Sequence, residues 1–327
     1  MSVSFDAETL WLIGGVIALL SVASVVGWRL QRRERAGSGQ GVDQDVDPSK
    51  RAAVIANLNA RIRAWWVMIA VFVAALATGG IGSVVLFALL SFVALRELIT
   101  LTPTRRGDHR ALFWAFFVFI PVQYGFVAGG WYGMFAIFIP VYAFLFIPLR
   151  SALAGDTQDF LARTAKIQWG LMLAVYCVSH APALLMLQIP GYEHEGAKLL
   201  LFLVVVVQLS DVLQYVFGKT LGRRPVAPTV SPNKTVEGTL YGIGAASLAG
   251  AGLWWITPFS PLGALAIALA ITCAGFAGGL VLSAIKRDLG VKDFGSLIEG
   301  HGGVLDRIDS LCFAAPLYFH LVRFLYT

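Results

Sequence analysis

Long apolar runs are the feature that most restricts how this chain of 327 residues can fold. A helix needs roughly 20 consecutive apolar residues to cross the ~30 Å hydrocarbon core of a bilayer. Since no water reaches the backbone there, such a run must satisfy its own hydrogen bonds, as a helix does. Ten candidate spans can be recognised: Leu10–Trp28, Ala64–Thr78, Ile81–Leu95, Leu112–Ala128, Tyr132–Leu149, Ile167–Gln188, Ala197–Phe217, Gly238–Ile256, Leu262–Ser283 and Leu311–Tyr326.

Composition leads to the same conclusion. Hydrophobic residues make up 57% of the chain and charged residues only 13%, whereas soluble domains carry about 25% charged residues. Too few polar side chains remain to cover a globule of this size, which excludes a soluble or a disordered protein. The sequence therefore predicts an all-α fold, a polytopic transmembrane helical bundle of about ten spans.

Basic residues are distributed unevenly between the predicted loops. The first span has acidic residues before it and arginines after it, so we interpret it as a retained anchor with the N-terminus outside. Alternating the spans from there places 23 of the 25 Lys and Arg residues in loops on one side. The positive-inside rule assigns that side to the cytoplasm, and the net charge of +6 then reflects topology, with no nucleic acid as a partner.

Four segments are predicted along the chain. Residues 1–35 are an N-terminal membrane anchor, and residues 36–63, rich at first in glycine and aspartate, are a polar cytoplasmic linker. Residues 64–200 form an N-terminal helical bundle. Residues 201–327 form the candidate catalytic region, because functional side chains concentrate there in two cytoplasmic loops.

One acidic residue, Asp211, lies inside an apolar span, about six residues or ~9 Å from its cytoplasmic end. A carboxylate at such depth costs about 2.5–3.5 kcal/mol on insertion scales, so it needs a partner. A structural ion pair with Lys219 or Lys286 is one explanation. A metal ligand facing a wet cavity is the explanation we favour.

A second acidic pair, Asp306 and Asp309, stands just before the last apolar run. Either residue could cap a helix, but the spacing of three also lets both present oxygens to one hard cation or to two adjacent ones. The preceding run Gly300–Gly303 lets backbone amides approach an anion closely. Cations are dense in the same two loops, at Lys219, Arg223, Arg224, Lys234, Lys286, Arg287, Lys292 and Arg307.

Carboxylates that hold Mg²⁺, cations that hold phosphate oxygens and flexible glycines are together what phosphoryl or nucleotidyl transfer needs. The sequence contains no HExxH, GxSxG or GxxxxGK[ST] pattern, so zinc hydrolysis, serine hydrolysis and a P-loop have no support. The predicted site is built from helix ends at the membrane surface.

The spacing Ser283-x-x-Lys286-Arg287-x4-Lys292-Asp293-x-Gly295, followed by Gly300-His301-Gly302-Gly303-x-x-Asp306-Arg307-x-Asp309, resembles the signature of the phosphatidate cytidylyltransferase (CDP-diacylglycerol synthase) family. The upstream runs Ser231-Pro232-x-Lys234-Thr235-x-Glu237-Gly238 and Asp211-x-x-x-Tyr215-x-x-Gly218 are similar to that family as well. The resemblance is best from about residue 200 to the end.

The resemblance implies an enzyme of a bacterial inner membrane that uses Mg²⁺ to join CTP and phosphatidic acid, giving CDP-diacylglycerol and pyrophosphate. It implies a metal centre at Asp211, Asp306 and Asp309, with room for a second cation. We expect catalytic roles for Asp306, Asp211, Lys286 and Arg287. Candidates for substrate or phosphate binding are Lys234, Ser231, Thr235, Lys219, Arg223, Lys292, His301, Gly302, Gly303 and Arg307.

Two of the chain's departures from the family pattern concern acidic residues. Members usually carry an Asp and a Glu before the Ser-x-x-Lys-Arg run, and here those positions are Gly279 and Leu282. Either Asp288 or Asp293 could then supply the missing ligand, or the second cation is absent. Three alternatives stay open: a CTP-dependent polyprenol kinase, an inactive relative that binds CTP and lipid, and a transporter. A homodimer is compatible with all of them.

Overall fold

The computed structural model describes residues 6–35, 48–298, 300 and 302–327, and within them the chain is a helical bundle with one short hairpin. The helices are α1 Ala7–Arg35, α2 Pro48–Ala77, α3 Gly79–Thr100, α4 Arg106–Ala128, α5 Tyr132–Ala152, α6 Phe160–Met186, α7 Gly196–Leu221, α8 Val236–Gly252, α9 Pro261–Asp288 and α10 Leu305–Tyr326. Strands β1 Pro225–Ala227 and β2 Ser231–Thr235 pair antiparallel between α7 and α8.

The prediction of a polytopic helical bundle is confirmed. In the described part of the chain, nine helices are long and apolar enough to cross a membrane. The remaining predicted span, Gly238–Ile256, corresponds to α8, which has 17 residues and is followed by the single turn Trp254–Ile256. At 1.5 Å per residue α8 is about 26 Å long, slightly less than the hydrocarbon thickness.

The predicted linker is described only in part. Residues 36–47 lie outside the described residues, whereas residues 48–63 belong to α2 and continue the helix well beyond its apolar portion. The second and third predicted spans form a helical hairpin, since α2 and α3 are joined through Thr78 with Gly79 at φ +84°. A left-handed backbone of this kind favours glycine, which reverses the chain without strain.

Three consecutive helices contain π-helical turns. They occur at Ala115–Phe119 in α4, Phe138–Ala143 in α5 and Leu171–Cys177 in α6. A π turn inserts one extra residue and rotates the side chains that follow it. These three helices line the N-terminal half of the bundle, and aromatic rings such as Phe119 and Phe146 pack edge to face between them.

The C-terminal half is held together by very close backbone contacts. Helices α9 and α10 approach at Gly278, where a Cβ would come within 2.7 Å of the Asp309 carbonyl oxygen. Helices α7 and α8 approach at Gly218 and Gly238, where a Cβ on Gly238 would lie 2.6 Å from the Gly218 Cα. Small residues at helix crossings allow this packing within a membrane. The four helices therefore hold the ends that carry the candidate residues firmly in place.

An ion-pair cluster lies at the opposite end of the bundle. The Lys198 ammonium, buried at the start of α7, contacts Asp6 at 2.5 Å, Glu8 at 2.5 Å and Glu195 at 2.9 Å. This cluster joins the first turn of α1 to α7, so the N-terminal helix is fixed to the bundle. It also explains one of the two basic residues that lie outside the predicted cytoplasmic loops.

Candidate active site

The site is centred on the first two turns of α10. This helix begins at Leu305, six residues before the predicted span, so Asp306 and Asp309 lie one turn apart on it. Its free N-terminal amides are capped from a distance: Glu97 of α3 accepts the N–H groups of Val304 and Leu305, each at 2.9 Å. A carboxylate at this position satisfies unpaired donors and opposes the positive end of the helix dipole.

Asp306 is fully engaged by the protein itself. Its Oδ1 accepts a hydrogen bond from the Lys286 ammonium at 3.0 Å. Its Oδ2 accepts the backbone N–H groups of Phe294 at 2.8 Å and Gly303 at 2.9 Å. With a buried side chain and both oxygens occupied, Asp306 holds the glycine turn and the end of α9 against α10. Its predicted metal-binding role would require some of these bonds to be exchanged.

Asp211 and Asp309 are brought together from two helices. The Ser310 hydroxyl donates to Asp211 Oδ2 at 2.8 Å and also lies 3.3 Å from Asp309 Oδ1, which in addition accepts the Ser310 backbone N–H at 2.7 Å. The Asp211 carboxylate therefore faces α10 rather than lipid. One oxygen of each carboxylate has no hydrogen-bond donor among the described residues, so the pair retains capacity for a cation.

Lys234 is the basic residue that reaches this pair from the hairpin. Its ammonium lies in front of Gly279 and 5.0 Å from the centre of the Phe276 ring. Burial lowers the pKa of the Lys234 ammonium, and the negative charges of Asp309 and Asp211 partly oppose that change. It has no hydrogen-bond acceptor in the described part of the chain, which leaves its three N–H donors for a ligand.

A second buried donor is unsatisfied at the same end. Within the described residues Arg307 Nε has no hydrogen-bond partner, although it is shielded from solvent. The Arg307 carbonyl oxygen accepts a weak bond of 3.4 Å from Gln208, one turn before Asp211 on α7. Because buried polar groups are normally paired, a guanidinium nitrogen left in this way fits an anionic ligand.

The remaining residues of the Ser-Pro-x-Lys-Thr-x-Glu-Gly run make structural contacts. Thr235 caps α8 by accepting the Gly238 N–H at 3.2 Å. Glu237 accepts the backbone N–H groups of Arg223 and Arg224 at 2.9 and 3.1 Å, which closes the loop before β1. Ser231 opens β2 opposite Ala227. The other residues of this run therefore mainly fix the hairpin and the start of α8, so that the Lys234 side chain faces the Asp211–Asp309 pair.

Several predicted residues lie farther out. Arg287 Nε donates to the Val230 carbonyl at 3.1 Å and so braces the hairpin. Gly302, at φ +84°, packs against Asp293 and Asp306. His301 lies outside the described residues. Five further predicted residues have exposed side chains: Lys219, Arg223, Lys292, Asp288 and Asp293.

The oxygen atoms that the site offers decide whether it fits Mg²⁺. Among the described residues, no group of three or more His, Cys, Asp or Glu side chains could hold a metal ion together. Asp211 and Asp309 offer hard carboxylate oxygens beside the Ser310 hydroxyl. Mg²⁺ is usually held by one or two carboxylates, with waters and substrate phosphates as its other ligands. The pair therefore fits an ion that arrives with a phosphorylated substrate.

Sequence reasoning missed Glu97. It lies on α3, about two hundred residues before the helix that it caps, and it touches Gly295 and Gly303 so closely that a Cβ at either would collide with it. The available signal was an acidic residue at the predicted cytoplasmic end of an apolar span. No local spacing connects it with the C-terminal motifs.

An apolar groove lies along α10. It has a volume of about 440 Å³ and is lined on α10 by Cys312, Phe313, Pro316 and Leu317, opposite side chains of α5 and α6. These four residues follow Asp309 at spacings of three, four, seven and eight, which places them on the same helix face as that carboxylate. The groove therefore lies one to two helical turns beyond Asp309 on the same face of α10, and apolar side chains line most of it.

Comparison with known proteins agrees with the chemistry of these residues. The sequence model of a family described as "Cytidylyltransferase family" matches residues 59–325. A protein of Escherichia coli (strain K12) with the name "Uncharacterized protein YnbB" is 41% identical over 265 residues, which cover 81% of this chain and 87% of that protein. The phosphatidate cytidylyltransferase of Bacillus subtilis (strain 168) is 34% identical over 74% of this chain and 86% of its own length. That of Staphylococcus aureus (strain COL) is 29% identical over 76% of this chain and 92% of its own length.

Proposed function

The chain belongs to the cytidylyltransferase family, and we propose that it transfers the cytidylyl group of CTP to phosphatidate at the cytoplasmic face of the membrane. It is an integral membrane nucleotidyltransferase, as its spans and its relatives named phosphatidate cytidylyltransferase indicate. The products are CDP-diacylglycerol and pyrophosphate. The observation that carries the proposal is the Asp211–Ser310–Asp309 cluster, with two unpartnered basic groups beside it among the described residues.

In the reaction a phosphate oxygen of phosphatidate attacks the α-phosphorus of CTP. The bond from that phosphorus to the oxygen bridging to the β-phosphate breaks, and its electron pair leaves with pyrophosphate. The attacking phosphate is anionic near neutral pH, so no strong general base is needed. Catalysis then depends on position and on neutralisation of charge. Lys234 and Arg307 are placed to donate to phosphate oxygens as negative charge grows on the leaving group.

Asp211 and Asp309 are the residues that would hold Mg²⁺. When bound, the ion would neutralise triphosphate oxygens and polarise the phosphorus that is attacked. The Ser310 hydroxyl orients both carboxylates by hydrogen bonding. Ligands of this kind stay in place only when their surroundings fix them, and the close contact of α9 with α10 at Gly278 provides that support.

The apolar groove supports a lipid as the acceptor. An acyl chain in the groove between α10 and α6 would place its head group one turn away, next to Asp309. The position of the basic residues supports the cytoplasmic orientation, because Lys234, Lys286 and Arg307 belong to the predicted cytoplasmic side. CTP would then enter from the side on which it is synthesised.

The test uses purified protein in detergent with phosphatidate, radiolabelled CTP and Mg²⁺. We expect a labelled lipid and one pyrophosphate per turnover, and a loss of at least 10²-fold in the Asp309→Asn and Asp211→Asn variants. Formation of CDP and a newly phosphorylated lipid would instead assign a CTP-dependent lipid kinase. Turnover equal to wild type in both variants would remove the carboxylate pair from the mechanism.

A further inference from the structure

We propose that the polar start of α2 positions the site from outside the C-terminal motifs: Arg61 holds the glycine turn before α10 by a hydrogen bond to the Gly300 carbonyl oxygen. This inference rests on the proposed function and adds a positioning residue to its site. Arg61 precedes the turn by 239 residues and lies at the very start of the matched region, which begins at residue 59.

The first observation concerns the turn itself. The Ile298 N–H donates to the Gly302 carbonyl oxygen at 2.9 Å, which closes a short loop around Gly300. Gly300 at φ +73° and Gly302 at φ +84° both have the left-handed backbone that favours glycine. The chain then enters α10 through the Gly303 N–H, which Asp306 accepts at 2.9 Å. The start of α10 therefore fixes the base of the turn but not its tip.

The second observation is that α2 contacts the tip. Arg61 Nε donates to the Gly300 carbonyl oxygen at 3.0 Å. A Cβ built on Gly300 would lie 3.5 Å from the Ala60 Cβ, an atom that no side-chain rotation can move away. Ala60 is buried, although most residues of the segment 52–63 are exposed. The helix itself therefore packs against the turn, in addition to the arginine side chain.

The third observation is that α1 fixes this part of α2. Asn59 Nδ2 donates to Gln31 Oε1 at 3.1 Å, and Trp66 Nε1 donates to the Ser24 hydroxyl at 3.0 Å. Gly27, between the two residues of α1, is buried at this crossing. The second helix is thus bonded to the first on both sides of the arginine, so the guanidinium reaches the turn from a supported backbone.

The chemistry of the acceptor allows the bond to be separated from the charge. A carbonyl oxygen is neutral, so it needs an N–H at the position of Arg61 Nε and does not need a positive charge. A glutamine side chain carries its amide nitrogen the same number of bonds from Cα as Nε. Arg61→Gln therefore removes the charge and keeps a donor, whereas Arg61→Ala removes both.

The first test needs no substrate and follows hydrogen exchange of single amides in purified protein in detergent. In Arg61→Ala we expect the Ile298 N–H to exchange roughly two- to tenfold faster, the range that one net hydrogen bond gives. Arg61→Gln should exchange as wild type does, and so should the control Arg29→Ala, which removes an exposed arginine of α1. The Leu305 N–H, held by Glu97, should be unchanged in all three. Equal exchange of Ile298 in wild type and Arg61→Ala would refute the contact.

The second test uses the kinetics of cytidylyl transfer to separate positioning from substrate binding. With the turn loosened, Arg61→Ala should lower kcat by about threefold or more and leave the KM for CTP within about twofold of wild type. Arg61→Gln should restore kcat, because the donor is kept. If the charge of Arg61 binds a phosphate instead, both variants raise the KM and glutamine restores nothing. That result would overturn the proposal, as would a wild-type kcat in Arg61→Ala.

The exchange measurement and the transfer reaction fail independently. If no labelled lipid forms but the Ile298 amide responds as expected, the proposed function is wrong and α2 still holds the turn. If labelled lipid forms and the Ile298 amide exchanges equally in every variant, the proposed function stands and Arg61 does not hold the turn.

Discussion

Glu97 offers the sharpest test of how the site is held together, because one carboxylate from α3 supports a helix in the other half of the chain. It accepts the N–H groups of Val304 and Leu305 while it is only 8% exposed. In Glu97→Ala both donors stay buried without a partner. Each such group costs about 1–3 kcal/mol, so the expected destabilisation is about 2–6 kcal/mol.

The assay is thermal unfolding of the purified protein in detergent, followed by far-UV circular dichroism. A chain of this size loses roughly 2 °C in Tm per kcal/mol, which predicts a decrease of about 4–12 °C for Glu97→Ala. Glu97→Gln keeps one acceptor oxygen and should lose about half as much. Glu193→Ala is the matched control, because Glu193 also accepts a backbone N–H, from Gly191 at 2.9 Å, but in water.

Water replaces the bond lost in that control, so its Tm should stay within about 1 °C of wild type. If Glu97 also positions the start of α10, its substitution should change the rate of the reaction as well as the Tm. Cytidylyl transfer by Glu97→Gln should fall through kcat, measured below its Tm, because the start of α10 is then less well fixed. A Glu97→Ala protein that unfolds at the same temperature as the control would refute the capping argument.

Three further perturbations test other charged contacts. Lys286→Met leaves the buried Asp306 carboxylate without its cation and should destabilise the protein by about 3–5 kcal/mol in the same unfolding assay. The Arg105 guanidinium holds the pKa of Asp156 below its usual range, so the stabilisation from this contact is present above about pH 4 and is lost as the pH falls through the folded pKa. The Tm difference between wild type and Asp156→Asn should therefore shrink as the pH falls below about 4 and vanish below the folded pKa. Lys198→Ala leaves three carboxylates facing one another, and hydrogen exchange in the first turn of α1 should accelerate while transfer activity stays unchanged.

Hydropathy predicted the helices well because every span must be apolar and long enough to cross the bilayer. It misplaced the start of α10, which begins at Leu305 rather than Leu311. The extra turn carries Asp306, Arg307 and Asp309, so it is invisible to a hydrophobicity window. What makes it helical is the distant cap from Glu97, a long-range contact that no local pattern contains. The start of α2 was missed because its polar residues also escape a hydrophobicity window.

The motifs predicted which loops form the site, but not which member of each motif faces it. Lys234 and Thr235 are neighbours in the sequence, yet the Lys234 ammonium enters the site while the Thr235 side chain caps α8. The direction of the backbone at the end of β2 determines which of the two side chains faces the site, and the residue types alone do not reveal that direction. Gly279 was recognised as a departure from the family pattern, and only the structure shows that it lies beside the Lys234 ammonium.

The carboxylates of α10 show why loss of activity alone does not identify a metal ligand. In Asp306→Asn an amide nitrogen faces either the Lys286 ammonium or the backbone N–H groups of Phe294 and Gly303, so the glycine turn loosens as the charge is removed. Among the described residues Asp309→Asn breaks no ion pair, and it keeps an oxygen for the Ser310 N–H. We therefore expect Asp306→Asn to lower both the Tm and turnover, and Asp309→Asn to abolish turnover and Mn²⁺ binding with the Tm unchanged. If Asp309→Asn instead lowers the Tm and retains Mn²⁺, the two carboxylates have exchanged roles, and Asp306 is the ligand.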